Sequence, residues 1–176
     1  GCGDECLEVS DGSTHVTVSR SVFKDTYYAV LITVNADYEK KDIPKARVTF
    51  YQNLFDHVTR RSPRIAFAGK AHVFNNVIAS WGTSVGDYGS SAAGQAEMYL
   101  ERNWFEGGNN DAALATALDG VFGKLKAPDN RLNGTNIQVN RASEVFDPAD
   151  FYNYKAEVMD QGLKDKIVEN AGPIYK

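Results

Sequence analysis

The chain has 176 residues, 43% of them hydrophobic and 24% charged, and its 19 Lys and Arg against 23 Asp and Glu leave a net charge of −4. That length allows one domain with a sizeable core, and the composition argues against disorder and coiled coil. The acidic balance gives no pull on phosphate backbones, so no nucleic-acid partner is expected, and no run reaches the roughly 20 apolar residues of a membrane-spanning helix.

Residues 1–13 are acidic and polar and read as an N-terminal arm, with a single globular domain over 14–176. Gly1–Cys2–Gly3 at the start reads as a processed or trimmed product. Both cysteines, Cys2 and Cys6, lie in the first six residues. A Cys2–Cys6 disulfide, a lipid-attachment cysteine at Cys2 and two free thiols are the alternatives, and the first two place the chain outside the cytoplasm. A lipid on Cys2 would be the one membrane link. Leu7 and Val9 suit an added strand on a sheet edge, in this chain or in another.

Alternating Val16 and Val18 predict a half-buried strand, and the short link 23–26 predicts a hairpin into a central strand over 26–35, the most apolar run of the chain. Asp42–Ile43–Pro44 is a helix-start pattern, and Val48, Tyr51, Leu54, Phe55 and Val58 recur at helical spacing up to Ser62–Pro63. Residues 64–74 read as a strand interrupted at Gly69. Three glycines and three serines over 82–91 read as loop. Ser91 is then a cap for a helix over 92–105, and Asp111 for a helix whose stripe is Leu114, Leu118, Val121, Phe122 and Leu125. A short strand over 137–140 and a last helix from 147 to 168, stopped by Ala171–Gly172–Pro173, complete the pattern. No internal repeat is evident. With strands early and helices late, the expected class is α+β, an N-terminal antiparallel hairpin or sheet packed with C-terminal helices, with an α/β sandwich as the alternative.

Gly82–Thr83–Ser84–Val85–Gly86 matches the G-x-S-x-G form of a nucleophile elbow. Its partners do not follow: His15, His57 and His72 all precede Ser84, whereas that architecture places an acid and then a histidine after the serine. Each histidine reads more simply as a surface or hydrogen-bonded residue. Residues 35–39 carry acids but lack the glycine and terminal acid of a calcium loop, and two cysteines with three scattered histidines make a poor zinc set, so neither a metal nor another cofactor is expected. Arg60, Arg61, Arg64 and Lys70 form the one basic cluster and read as a solvated helix end. Asn133–Gly134–Thr135 is a glycosylation sequon, but Asn-Gly is also a favoured tight turn.

Trp81, Tyr88 and Trp104 flank or follow the glycine-rich loop, and aromatics in that position can form a contact surface. The expectation from sequence is an extracytoplasmic, non-catalytic structural subunit, periplasmic, cell-surface or secreted. It would bind other protein chains or self-associate into an oligomer, with Trp81, Tyr88 and Trp104 as binding residues. The alternative is a serine hydrolase centred on Ser84.

Overall fold

The structure, a computed structural model, describes residues 2–33, 46–108, 113–116, 123–141 and 144–173. It is built almost wholly of short parallel strands. The first coil of the chain holds β1 (Leu7–Val9), β2 (Val16–Ser19) and β3 (Val22–Tyr28), and the second holds β4 (Val30–Ile32), β5 (Arg47–Tyr51) and β6 (Leu54–Arg60). The third has β7 (Arg64–Ile65), β8 (Lys70–Phe74) and β9 (Val77–Ala79), and the fourth β10 (Ser90–Ala92), β11 (Glu97–Glu101) and β12 (Trp104–Glu106). The fifth has β13 (Leu114–Thr116) and the long β14 (Lys124–Leu132), which turns back through the antiparallel β15 (Thr135–Arg141).

Apart from the β14–β15 hairpin, strands do not pair with their sequence neighbours; each pairs with the equivalent strand one coil away. One face is the parallel sheet β1-β4-β7-β10-β13, a second is β2-β5-β8-β11 and a third β3-β6-β9-β12, the last two joined because β14 runs along both. The result is a β-solenoid. Registers are in line, so like residues stack: Phe23, Phe55, Ile78 and Phe105 form one inward column, with the Phe23 and Phe55 rings 4.9 Å apart. Val48, Ala71 and Met98 form another. Such a stack buries a continuous core that no single coil could bury alone.

A buried asparagine sets the corner between the second and third faces in the second to fifth coils; in the first coil Ser21 holds that position and donates its N–H to Asn53 Oδ1. Asn53, Asn76, Asn103 and Asn130 follow one another at intervals of 23, 27 and 27 residues. Each is fully buried, and each of the last three accepts, through its side-chain oxygen, the backbone N–H of the asparagine one coil earlier at 2.9 Å. The preceding residues, Gln52, Asn75, Arg102 and Asp129, all adopt positive φ of 50–56°. A left-handed residue turns the chain by a right angle in one step, and the asparagine amide satisfies the backbone groups freed at the bend. Gly69 (φ +91°) makes the tight link from β7 to β8; a Cβ there would lie 2.7 Å from the Ala46 Cβ.

This architecture replaces the expected α+β fold and the α/β sandwich alike. The 26–35 run is not one central strand: it breaks at Ala29 into β3 and β4 on different faces, and β2 and β3 form no hairpin. The helices expected over 48–60 and 92–105 are strands, as is the described part of the 111–125 segment. The apparent helical period has a physical source. In β5 and β6 the buried positions are 48, 50, 53, 55 and 58, because positive φ at Gln52 and His57 resets the alternation. Steps of two and three average close enough to a helical stripe to mislead. The helix start at 42–44 and stripe positions 118, 121 and 122 lie outside the described residues. The strand at 137–140 falls within β15, and 64–74 does break at Gly69.

Residues 144–160 lie as a strap across the second face. Beyond it α1 (Gln161–Asn170) is capped by Asp160, whose carboxylate accepts the Leu163 N–H at 2.8 Å, and ends before Gly172. Leu163 and Ile167 pack against Val77, Trp104 and Met159. The helix expected from 147 therefore begins only at 161; before it stands a single 3-10 turn, 148–150, capped by Asp147.

Candidate active site

The functional features gather where the third face turns into the first, at the end of β6 and the start of β7. Arg60 closes β6, Arg61 takes positive φ (67°) at the corner, and Arg64 opens β7. A β-strand sends alternate side chains outward, and the solenoid register stacks Glu8, Leu31, Arg64, Ser91 and Ala115 in one row, while Ile32, Ile65 and Ala92 fill the core. The corner therefore presents three guanidinium groups beside the acidic residues of the first coil.

Arg61 is the centre of the cluster. Its guanidinium lies 3.8 Å from the centre of the Tyr28 ring, pairs with Glu5 and contacts Tyr88. Burial pushes it below the ordinary arginine value; Tyr88 and Asp4 oppose that shift and Arg64 reinforces it. Arg60 donates from Nε to Asp87, whose second oxygen accepts the backbone N–H groups of Thr83 and Ser84 at 2.6 and 2.7 Å. Burial pushes Asp87 up, but those N–H bonds and Arg60 outweigh it and hold the carboxyl below its usual value. Asp87 thus ties the 82–89 loop to the arginine corner. Arg64 is 9% exposed.

The residues singled out from sequence fall differently. Ser84 is exposed on the loop, its N–H committed to Asp87; His57 bonds Asp56, and His72 bonds Glu101 and Tyr152, neither of them Ser84, so no hydrolase triad forms. The serine hydrolase alternative fails on this geometry. Trp81 and Tyr88 are 1% exposed and Trp104 7%, so the three are not an exposed contact patch. Trp81 packs edge-on against Phe105, Trp104 belongs to the α1 contact, and Tyr88 touches Arg61. Cys2 and Cys6 form a disulfide, which occupies the Cys2 sulfur a lipid would need, and β1 pairs within its own chain with β4. Asn133–Gly134 makes the β14–β15 turn. Residues 35–39 lie outside the described residues, and among those described no group of three or more His, Cys, Asp or Glu side chains is placed to hold a metal.

The basic cluster was legible as a cluster but not as a site. The missed signal is Arg60–Arg61–Ser62–Pro63–Arg64 lying between two strands rather than at a helix end.

The chain is thus a parallel β-solenoid with an arginine cluster at the corner between its third and first faces. Residues 2–174 match the pectate lyase family, and the chain belongs to it. It is 32% identical to pectate lyase D of Dickeya chrysanthemi over 192 residues, covering 96% of this chain and 46% of that protein, so the chain spans about half the length of the curated relatives it matches. Its fold is that of pectate lyase II from Xanthomonas campestris (TM-score 0.74, 22% identity, 96% of this chain and 52% of that one). It is also that of a Bacillus sp. N165 pectate lyase solved in complex with trigalacturonate (TM-score 0.70, 18% identity, 96% and 52%). Membership of this family overturns the expectation of a non-catalytic structural or oligomer-forming subunit, as the solenoid overturns the expected fold. An extracytoplasmic setting agrees with both the family and the disulfide.

Proposed function

We propose that this chain carries out elimination on a polygalacturonate chain at the arginine corner, with Arg61 as the base. The observation that carries the reading is the half-buried guanidinium of Arg61, stacked on Tyr28 at the corner, held below its ordinary value by burial and flanked by two further arginines. In a 4-linked uronate polymer the ring proton next to the carboxylate is weakly acidic, and the glycosidic oxygen one carbon further on is the leaving group. A cation on the carboxylate stabilises the charge that develops when that proton leaves, and such stabilisation is a large part of most rate enhancements. Arg64, which opens β7 beside Arg61, is placed to supply it, while Arg60 is held by Asp87. Arg61 takes the proton; a base must be unprotonated for part of the time, and burial beside Arg64 favours that form. The C–O bond then breaks and the departing oxygen takes a proton from water, leaving a C=C double bond on one fragment and a hydroxyl on the other.

Glu5 pairs with Arg61 and favours its charged form, so an incoming chain must displace Glu5 before Arg61 acts as the base. The finer location follows from the substrate: plant cell-wall polymer is met outside the cell, so the chain acts as a secreted protein. The test is incubation with polygalacturonate followed by ultraviolet absorbance and mass analysis of the fragments. Unsaturated uronides support the reading. Fragments that have gained water, or no cleavage at all, would contradict it.

A further inference from the structure

On the second face, away from the arginine corner, a pocket of about 310 Å³ opens between the β2–β5–β8 strands and the C-terminal strap. We propose that it is a separate subsite for one uronate residue, an anchor for acidic polysaccharide outside the reacting site. The choice of a uronate rests on the proposed action on polygalacturonate; the preference for a carboxylate on an apolar-faced ring rests on the pocket itself.

Three observations point there. Arg47, which faces outward from β5 into the pocket, has a buried Nε with no hydrogen-bond partner among the described residues. A charged donor left unpaired is costly, and a planar guanidinium matches a carboxylate with two parallel bonds. The neighbouring cation is not equally available, because Lys70 is paired with Glu97 at 2.7 Å. Next, the strap supplies aromatic walls: Phe151, whose ring lies 4.6 Å from the Arg47 guanidinium carbon, and Tyr152. Those faces suit the C–H surface of a sugar ring. Finally, the wall is rigidly held. Thr49 Oγ1 bonds the Tyr152 hydroxyl at 3.1 Å, which reaches His72 Nδ1 at 2.6 Å, and His72 Nε2 meets Glu101 at 3.1 Å. A neutral His72 donating to Glu101 and accepting from Tyr152 satisfies the whole chain. The volume fits one hexuronate ring, at the small end of ligand pockets.

The test uses the Arg61→Ala chain, so that turnover does not consume the probe, and follows the amide NMR signals of Thr49 and Phe151 during titration with trigalacturonate. The expected result is saturable shifts at both, with affinity lowered about tenfold or more by Arg47→Ala or when neutral maltotriose replaces the acidic trimer. Phe151→Ala, on the strap outside the coil stack, is the second variant and should weaken binding with the remaining spectrum unchanged. Absence of shifts, or shifts equal with maltotriose or undiminished in both variants, overturns the proposal. Saturable shifts in a protein whose wild type produces no unsaturated uronide would sink the elimination reading and leave the pocket standing.

Discussion

Asn103→Ala removes an interior link of the asparagine column. Its Oδ1 accepts the Asn76 backbone N–H and Nδ2 at 2.9 Å each, and its Nδ2 donates to Val73 O, Glu101 O and Asn130 Oδ1 at 2.9–3.0 Å. Alanine leaves the Asn76 N–H without its acceptor in a site that is 0% exposed. One orphaned buried donor costs about 1–3 kcal/mol, and the remaining bonds add about 0.5–1.5 kcal/mol each where they are not re-made. About 3 kcal/mol in total is expected, a large share of the roughly 5–15 kcal/mol that holds a domain together. At a urea m-value of about 2 kcal/mol/M, the midpoint should fall by about 1.5 M. Asn170→Ala, an exposed change at the end of α1, is the control and should move stability by no more than about 0.5 kcal/mol. If Asn103→Ala unfolds within about 0.3 M of the wild type, in the same urea titration, the column is not what fixes the corners and the reasoning is wrong.

His72 gives a pH signature. Burial holds its folded value below the ordinary 6.5, against the opposing pull of Glu101 and Asp147, so the unfolded chain binds the extra proton first. Stability should therefore be fully present above about pH 6.5 and fall as the pH drops below it. His72→Phe should flatten that limb of a thermal-melting profile; an unchanged slope would remove His72 as its cause. Glu5→Gln takes away the anion that competes for Arg61 and should lower the KM for polygalacturonate with kcat little changed, whereas a raised KM would show that Glu5 helps to bind substrate. Asp160→Ala deletes the α1 cap and should cost about 1 kcal/mol in urea unfolding. A loss near zero would mean that Leu163 and Ile167 alone hold the helix.

What the sequence disclosed was local. The short apolar runs rich in Val, Ile, Phe and Tyr were legible as strands at 16–18, 64–74 and 137–140, and the stop at Ala171–Gly172–Pro173 as the end of a helix. The repeat was not, because its period wanders: intervals of 23, 27 and 27 residues defeat a search for strict self-similarity, and the one constant residue, an asparagine, is present only in the second to fifth coils. That asparagine follows a left-handed residue of variable identity (Gln52, Asn75, Arg102, Asp129), so the bend carries no glycine or proline signal. Each bend also shifts the in–out alternation by one, and period-two strands then imitate a helix. The site was hidden for a related reason. Arg61 lies next to Glu5, Tyr28 and Tyr88 only because successive coils stack, and no spacing along the chain announces that meeting.

The central claim is that Arg61 takes the proton in an elimination at the corner of the first face. The most direct measurement is kcat/KM of wild type and Arg61→Ala on polygalacturonate across the alkaline range, followed by formation of the unsaturated product. A base with a depressed value makes the wild-type rate climb with pH until that value is passed, and its removal should cost about 10²–10⁴-fold and abolish the climb. An Arg61→Ala protein that keeps the wild-type rate and pH profile would contradict the account.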